Sequence, residues 1–485
     1  MRKIVGWLLG IGLVMGLFAC GTGNDGQNLS GNEDQQIFDQ TISAQSSINT
    51  RLKSKPANPS HTANAAFKFT CTSSPCTYKC NLDSAGWKKC KSPKTYTDLA
   101  DGSHNFQVKA TKNGHTDRSP AKYDWTIQTN FWIATSTTNA PDARYQATAV
   151  WTGTQMIVWG GGIGNPYYNT GGRYDPIADS WTPTSTTNAP DGRYAHTAVW
   201  TGTRMMVWGG YNGTNYLNTG GIYNPGDNSW TATAITNAPS NRSYHTAVWD
   251  TTNSQMIVWG GYFYDTSNHF YNDGGRYNPS ANSWTATSTT NAPDGREYHS
   301  AVWTTGLTTP VMIVWGGYDT TLPLLNTGSR YDPSANSWTE TSTTNAPDGR
   351  EYHTAVWTSG LTTPVMIVWA GYDGTALNTG SRYDPSADSW TATSTDNAPS
   401  ARAYHSAVWT SGLTTPVMII WGGNDGDYSS TGGKYDPMAN SWTETSTTNA
   451  PSGRWQHSMV WTGTRMIVWG GNAGAATNTG GVYWP

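Results

Sequence analysis

From Arg144 onward, one unit of about 50 residues is written seven times, and a chain built this way has few folds open to it. Aligned on its first arginine, the unit starts at Arg144, Arg193, Arg242, Arg296, Arg350, Arg402 and Arg454, with successive spacings of 49, 49, 54, 54, 52 and 52 residues. The copy at Arg350 is typical, reading REYHTAVWTSGLTTPVMIVWAGYDGTALNTGSRYDPSADSW. Each copy divides into four short runs. The first ends at a Trp such as Trp357, and the second ends at another such as Trp369, just before a glycine pair. The third carries a Tyr such as Tyr383, and the fourth a Trp such as Trp390. Runs of four or five residues rich in Val, Ile, Thr, Tyr and Trp favour pleated strands. One such unit cannot bury its own apolar faces, so neighbouring copies must stack on one another.

An apolar strand, a glycine pair and then a spaced Tyr and Trp resemble the kelch repeat, over all of about 355 residues of this region. The resemblance implies a seven-bladed kelch-type β-propeller, an architecture of the galactose oxidase/kelch-like superfamily. Ala370-Gly371 is the only departure from the glycine pair. The seventh copy stops at Pro485 after its third strand, and Phe131-Trp132-Ile133-Ala134-Thr135 matches the fourth-strand run Ser180-Trp181-Thr182-Pro183-Thr184. The N-terminal run 131–135 is therefore expected to complete the last blade and close the ring, leaving few exposed edges.

Strands in such a unit alternate in direction, so the loops before the first strand and after the second share a face. The segments after the glycine pair vary most between copies, and variation on a copied scaffold is where specificity is expected. They supply the candidate ligand-binding residues Tyr167, Tyr168, Tyr264, His269, Tyr318, Asp373, Asp425 and Tyr428, with Phe270 beside them. Aromatic side chains in these loops are suited to stacking on sugars. The seven Arg recur in every copy, which points to one structural task done seven times, such as bonding backbone carbonyls. The six aligned His (His196, His245, His299, His353, His405, His457) read the same way, and Ala147 in the His slot of the first copy argues against a symmetric metal ring. Glu297 and Glu351 break the pattern in a slot read as holding Ala195, Ser243 and Ala403 elsewhere, and they are the first general acid/base candidates. No catalytic motif, metal site or cofactor site is expected.

The segment before the ring differs in charge and in cysteine content. Residues 51–128 hold 13 Lys and Arg against 5 Asp, a net +8, whereas residues 129–485 hold 14 against 23 acids, a net −9. An acidic main domain is a poor partner for nucleic acid. Four of the five cysteines, Cys71, Cys76, Cys80 and Cys90, lie close together, an even set that reads as two disulfides in an exported protein. Alternating runs at Phe67 and Phe69, Tyr78 to Leu82, Asn105 to Ala110 and Tyr123 to Ile127 predict a small β-sandwich. The string CNLDSAGWKKCKSPKTYTDLADGSHNFQVKAT with SPAKYDWTI resembles a bacterial Ig-like module of multidomain surface proteins. That resemblance implies a Cys80–Cys90 bridge, leaving Cys71 with Cys76. Lys88, Lys89, Lys91 and Lys94 make a basic surface, read either as a solvated face or as a contact for anionic lipid or the acidic ring.

At the N-terminus, Arg2 and Lys3 precede an uncharged run, Ile4 to Ala19, that is short for a membrane span and fits a secretory signal. Leu17-Phe18-Ala19-Cys20 resembles the lipobox of bacterial lipoproteins, which implies cleavage before Cys20 and acylation of it. Gly21 after Cys20 implies an outer-membrane destination. The expected order is then a signal peptide (1–19), a flexible linker (20–55), an Ig-like sandwich (56–128) and the propeller (129–485). The all-β chain is read as a monomeric, lipid-anchored binding or scaffold protein taking a protein or glycan through the variable loops. The alternative is a carbohydrate-active enzyme resembling a periplasmic sialic acid epimerase of the kelch class. A copper oxidase of that class is excluded, since its Tyr–Cys cross-link needs a cysteine and the repeats have none.

Overall fold

A computed structural model of the chain describes residues 48–72, 74–97, 99–320 and 324–485. The expected signal, Cys20 and most of the expected linker lie outside the described residues, as do residues 321–323 of one variable segment. Every regular element among the described residues is a strand.

The repeats fold into seven four-stranded antiparallel sheets, numbered here one to seven in chain order. In the fifth, Thr354–Trp357 pairs with Met366–Trp369, which pairs with Gly380–Asp384, which pairs with Ser389–Ala392. All four residues of Met366–Trp369 are buried, because adjoining sheets cover both faces of that strand. The fourth strand lies further out and buries only Trp390. The shift from a continuous apolar run to a single buried aromatic thus records how far each strand stands from the centre.

First strands of neighbouring sheets adjoin in sequence, and the first strand of the seventh sheet adjoins that of the first, so the sheets form a closed ring. Seven apolar clusters fill the seven gaps between sheets. Between the fourth and fifth, Val302, Ile313 and Trp315 meet Trp357, Met366, Val368, Tyr383 and Trp390. The outer aromatics are also held by polar bonds. Trp390 Nε1 donates to the carbonyl of Ser342 at 2.8 Å, and the Tyr383 hydroxyl donates to Asp388 at 2.6 Å. The gap-filling Trp and Tyr of the seventh sheet are brought together across the longest distance in sequence. Phe131–Ala134 pairs with Gly480–Trp484 as the outer strand of the seventh sheet. There Trp132 Nε1 donates to Ser446 O at 2.8 Å, and the Tyr483 hydroxyl donates to Asn130.

Before the ring stands a two-sheet β-sandwich. One sheet holds Thr50–Ser54, Ala65–Cys71 and Lys94–Tyr96. The other holds Lys88–Cys90, Thr77–Leu82, Gly102–Lys112, His115–Thr116 and Ala121–Ile127. Phe67, Phe69, Phe106, Val108, Trp125 and Ile127 form its core, with Phe67 and Phe106 stacked at 3.9 Å. Disulfides join Cys71 to Cys76 and Cys80 to Cys90. The expectation of a flexible linker through residue 55 is corrected at its end, because Thr50–Ser54 pairs with Ala65–Cys71. The reason is local: Thr50 is buried, its amide donates to Asp117 at 2.7 Å, and Leu52 packs on the core while Arg51 and Lys53 face outward. Lys88 and Lys89 lie on an edge strand, where charged side chains discourage pairing with another chain.

Only three residues separate Ile127 of the sandwich from Phe131 of the ring. His61 of the sandwich packs on Phe131 at 4.7 Å and on Trp484 at 5.1 Å, so the two units meet at the closing strand.

Candidate functional site

Each repeat arginine is fully or almost fully buried and is used up by its own sheet. Arg350 Nε donates to Asp348 O at 2.9 Å, Nη1 to the carbonyls of Ala370 and Thr379 at 3.1 and 2.8 Å, and Nη2 to Thr379 Oγ1 at 3.2 Å. These bonds tie the loop before the first strand to the turn after the second. The third sheet puts Asp273 where others have Thr, and Arg242 Nη2 meets it at 2.7 Å. Five of the six histidine rings join neighbouring sheets instead. His353 Nε2 lies 2.9 Å from Ser300 Oγ, and His245 Nε2 lies 2.9 Å from Thr197 Oγ1. Burial, then the charge of Arg350, lowers the His353 pKa to about 3, which keeps the ring neutral. Where Ala147 replaces the histidine, Ser458 Oγ donates to Ala147 O at 2.7 Å. Among the described residues no group of three or more His, Cys, Asp or Glu is placed to hold a metal ion.

Two residues after each arginine the chain takes a left-handed turn, at Gln146, Ala195, Tyr244, Tyr298, Tyr352, Tyr404 and Gln456, with φ between 52° and 58°. Amides and carbonyls of these residues bond from sheet to sheet: Tyr244 to Ala195, Tyr404 to Tyr352, Gln456 to Tyr404 and Gln146 to Gln456. They form a collar at one mouth of the ring's axis. Four consecutive members are tyrosines, and their rings follow one another at 4.5 Å (Tyr244–Tyr298), 4.4 Å (Tyr298–Tyr352) and 4.0 Å (Tyr352–Tyr404). Trp455 extends this arc at 4.8 Å from Tyr404.

The residue between arginine and collar pairs its backbone with the segment after the glycine pair, as in Glu297 with Tyr318 and Glu351 with Tyr372. In the second sheet this slot holds Tyr194, paired with Tyr211. The sequence reading that put Ala195 there is corrected: Ala195 belongs to the collar. Glu297 is 7% exposed, and its Oε2 has no hydrogen-bond partner among the described residues. Burial, then the neighbouring Glu351, raises its pKa to about 8, and burial raises that of Glu351 to about 7. Tyr216, Tyr244, Tyr262 and Tyr298 all feel the charge of Glu297, which places its carboxyl beside the collar.

Around the collar the variable segments add a second tier of aromatics. Tyr167 stacks on Tyr194 at 4.5 Å, Tyr211 lies 4.9 Å from Tyr216, and Tyr216 lies 5.2 Å from Phe263. Phe263 belongs to a hairpin, Tyr262–Tyr264 paired with Asn268–Phe270, that stands out from the third sheet. Phe270 reaches Tyr318 of the fourth sheet at 5.8 Å.

The eight loop residues singled out from the sequence therefore divide. Tyr167 and Tyr318 join this aromatic surface, and His269 lies on the hairpin, 5.6 Å from Phe263 and 3.0 Å from Asp265. Tyr264 and Tyr428 are exposed, at 51% and 40%. Tyr168 covers the Arg144 guanidinium at 4.5 Å. Asp373 accepts bonds from Thr375 and so shapes its own loop, whereas Asp425 accepts one from Ser400 at 2.8 Å and lies 3.9 Å from Arg402 Nη2, which ties its loop to the one before the first strand. The sequence reading missed the collar. Its signal was available as a column two residues after the arginine reading Gln, Ala, Tyr, Tyr, Tyr, Tyr, Gln.

The ring of four-stranded sheets has a counterpart in family comparison. The family model described as the Attractin/LZTR1 β-propeller matches residues 110–378 and, in a second alignment, residues 303–480. No curated protein matches the chain. The match covers well over half of the chain and takes in most of its ring of sheets, and the chain belongs to the Attractin/LZTR1 β-propeller family.

Proposed function

We propose that the chain is a membrane-anchored binding and scaffold protein that recognises a protein or glycan on the collar face of a seven-bladed kelch-type propeller, with an Ig-like module as its spacer. One observation carries this reading: the aromatic surface around the axis is continuous from the first sheet to the seventh, although its collar position is aromatic in only four of the seven sheets. A copied scaffold needs no such surface to fold, since the shared Trp and Tyr already fill the gaps between sheets. Rigid rings with convergent half-buried aromatics supply contact area at small cost in conformational entropy. The anchor rests on the lipobox resemblance around Cys20. Replacing Cys20 with Ala is expected to move the protein out of the membrane fraction, and unchanged fractionation would overturn the anchor. Binding is tested on a glycan array and by surface pull-down with residues 129–485. Saturable binding that Tyr167→Ala and Tyr216→Ala weaken supports the reading.

A second reading, a carbohydrate-active enzyme, is favoured by the same two carboxyls. A group with a pKa of about 8 is protonated at neutral pH and can act as a general acid. Sugar turnover abolished in Glu297→Gln, with binding retained, would establish it.

A further inference from the structure

We propose that the collar face holds an organic cation, an alkylammonium group seated between Glu297, Glu351 and the tyrosine arc. The inference rests on the binding reading above and names the chemistry of its ligand. Its first support is an unmet charge. Glu297 is buried, and among the described residues one of its oxygens has no hydrogen-bond partner and no ion pair involves Glu297 or Glu351. The nearest arginines are not available, because Arg296 and Arg350 spend their donors on backbone carbonyls and threonines of their own sheets. A buried carboxylate beside a half-buried one, with no counter-cation, costs free energy unless they are protonated or a cation enters.

The second support is the wall around them. Tyr244, Tyr298, Tyr352 and Tyr404 are half-buried and follow one another at 4.0–4.5 Å, beside the two acids rather than elsewhere on the collar. Aromatic faces attract cations through the ring quadrupole, most strongly where water is excluded. The same wall selects the kind of cation. Calcium takes six to eight oxygen ligands and magnesium a full octahedron, whereas no group of three or more His, Cys, Asp or Glu is placed to ligate a metal among the described residues. A cation with an apolar periphery matches both the carboxyls and the rings. The remaining collar members, Gln146, Ala195 and Gln456, carry no aromatic ring, and the Gln146 side chain bonds Tyr244 at the end of the arc.

The test is calorimetry on the full chain with choline, butylammonium and the neutral isostere 3,3-dimethylbutanol. At least one cation is expected to bind while the neutral alcohol does not, and the preferred cation tells whether the ligand presents a quaternary or a primary head. Raising the pH from 6 to 9 should strengthen cation binding by at least about tenfold, since the carboxyls ionise over that range. Binding below the upper pKa should release protons, visible as a heat that changes with the buffer's ionisation enthalpy. Glu297→Gln and Glu351→Gln are each expected to weaken binding tenfold or more while melting cooperatively at or above the temperature of the parent chain at pH 6, since a neutral side chain escapes the cost of protonating a carboxyl. Equal binding of the neutral alcohol, unchanged affinity in both variants, or no cation binding at millimolar concentration each overturns the inference. Array binding lost in Tyr167→Ala but indifferent to Glu297→Gln would overturn the cation and leave the binding reading standing.

Discussion

Ala370 occupies the position that glycine holds in the other six repeats, and it does so at a φ of 57°. A left-handed residue with a Cβ costs about 1–2 kcal/mol relative to its usual conformations, and part of that is returned as lower unfolded-state entropy. At the equivalent Gly316 an added Cβ would come within 2.7 Å of His353 Cε1. Ala370→Gly is therefore expected to stabilise the ring by about 1 kcal/mol, read as a higher denaturant midpoint at unchanged slope. Gly316→Ala should do the reverse. A second effect at this scale belongs to Glu297. Its folded pKa of about 8 lies above the ordinary carboxylate value, so the folded state holds the proton more tightly than the unfolded chain. The associated stability is fully present at acid pH and is lost as pH rises toward and through about 8. Glu351 works in the same direction, ending near 7. The ligand-free protein should be less stable at pH 9 than at pH 5, and Glu297→Gln should remove a few kcal/mol of that difference. A flat profile shared by both proteins would contradict the unmet carboxyl. Both acids stood out in the sequence as departures from the repeat. The collar tyrosines did not, because nothing about Tyr or Gln announces a left-handed backbone, which is what turns that column toward the axis.

Strands and sheets were far more legible than individual roles. The four-run pattern of the unit maps onto four strands because second strands are buried on both faces and outer strands on one side chain alone. What the pattern does not encode is short pairing. Lys88–Cys90, Lys94–Tyr96 and the hairpin at Tyr262–Tyr264 have too few residues for a periodicity to show. The closing strand is the element with most at stake. Phe131–Ala134 gives the seventh sheet its outer edge, and Trp132 is 1% exposed between Trp421 and Tyr483. Trp132→Ala is expected to cost about 3–5 kcal/mol, and deletion of residues 129–138 should lower the melting temperature sharply. Equal melting of the deleted and full chains would show that the pairing contributes nothing. Arg350→Met removes donors from three carbonyls and a threonine hydroxyl, so a loss of several kcal/mol in chemical denaturation is expected there too.

Taken whole, the molecule keeps its two kinds of reinforcement apart. Both disulfides lie in the sandwich, and the repeats contain no cysteine at all. Small domains bury too little apolar surface to be secure alone, whereas the ring has seven apolar clusters in succession. Reduction should lower the unfolding temperature of the sandwich and leave that of the ring in place, which calorimetry with and without reductant resolves as one moving and one fixed transition. A single transition that shifts as a unit would mean that the contact of His61 with Phe131 and Trp484 couples the two completely.

The seam in the seventh sheet also sets the order of events during synthesis. Asn130 and Tyr483 are bonded across 353 positions, so the outer strand emerges long before the strand it must join. Until then six sheets can stack as an open array, each gaining from its neighbour, while a loose strand waits beside the sandwich. Loop-closure entropy grows slowly with length, but contacts this distant in sequence slow the final step. The ring should therefore snap shut late, from an intermediate whose free edges at the first and sixth sheets are open to the wrong partner.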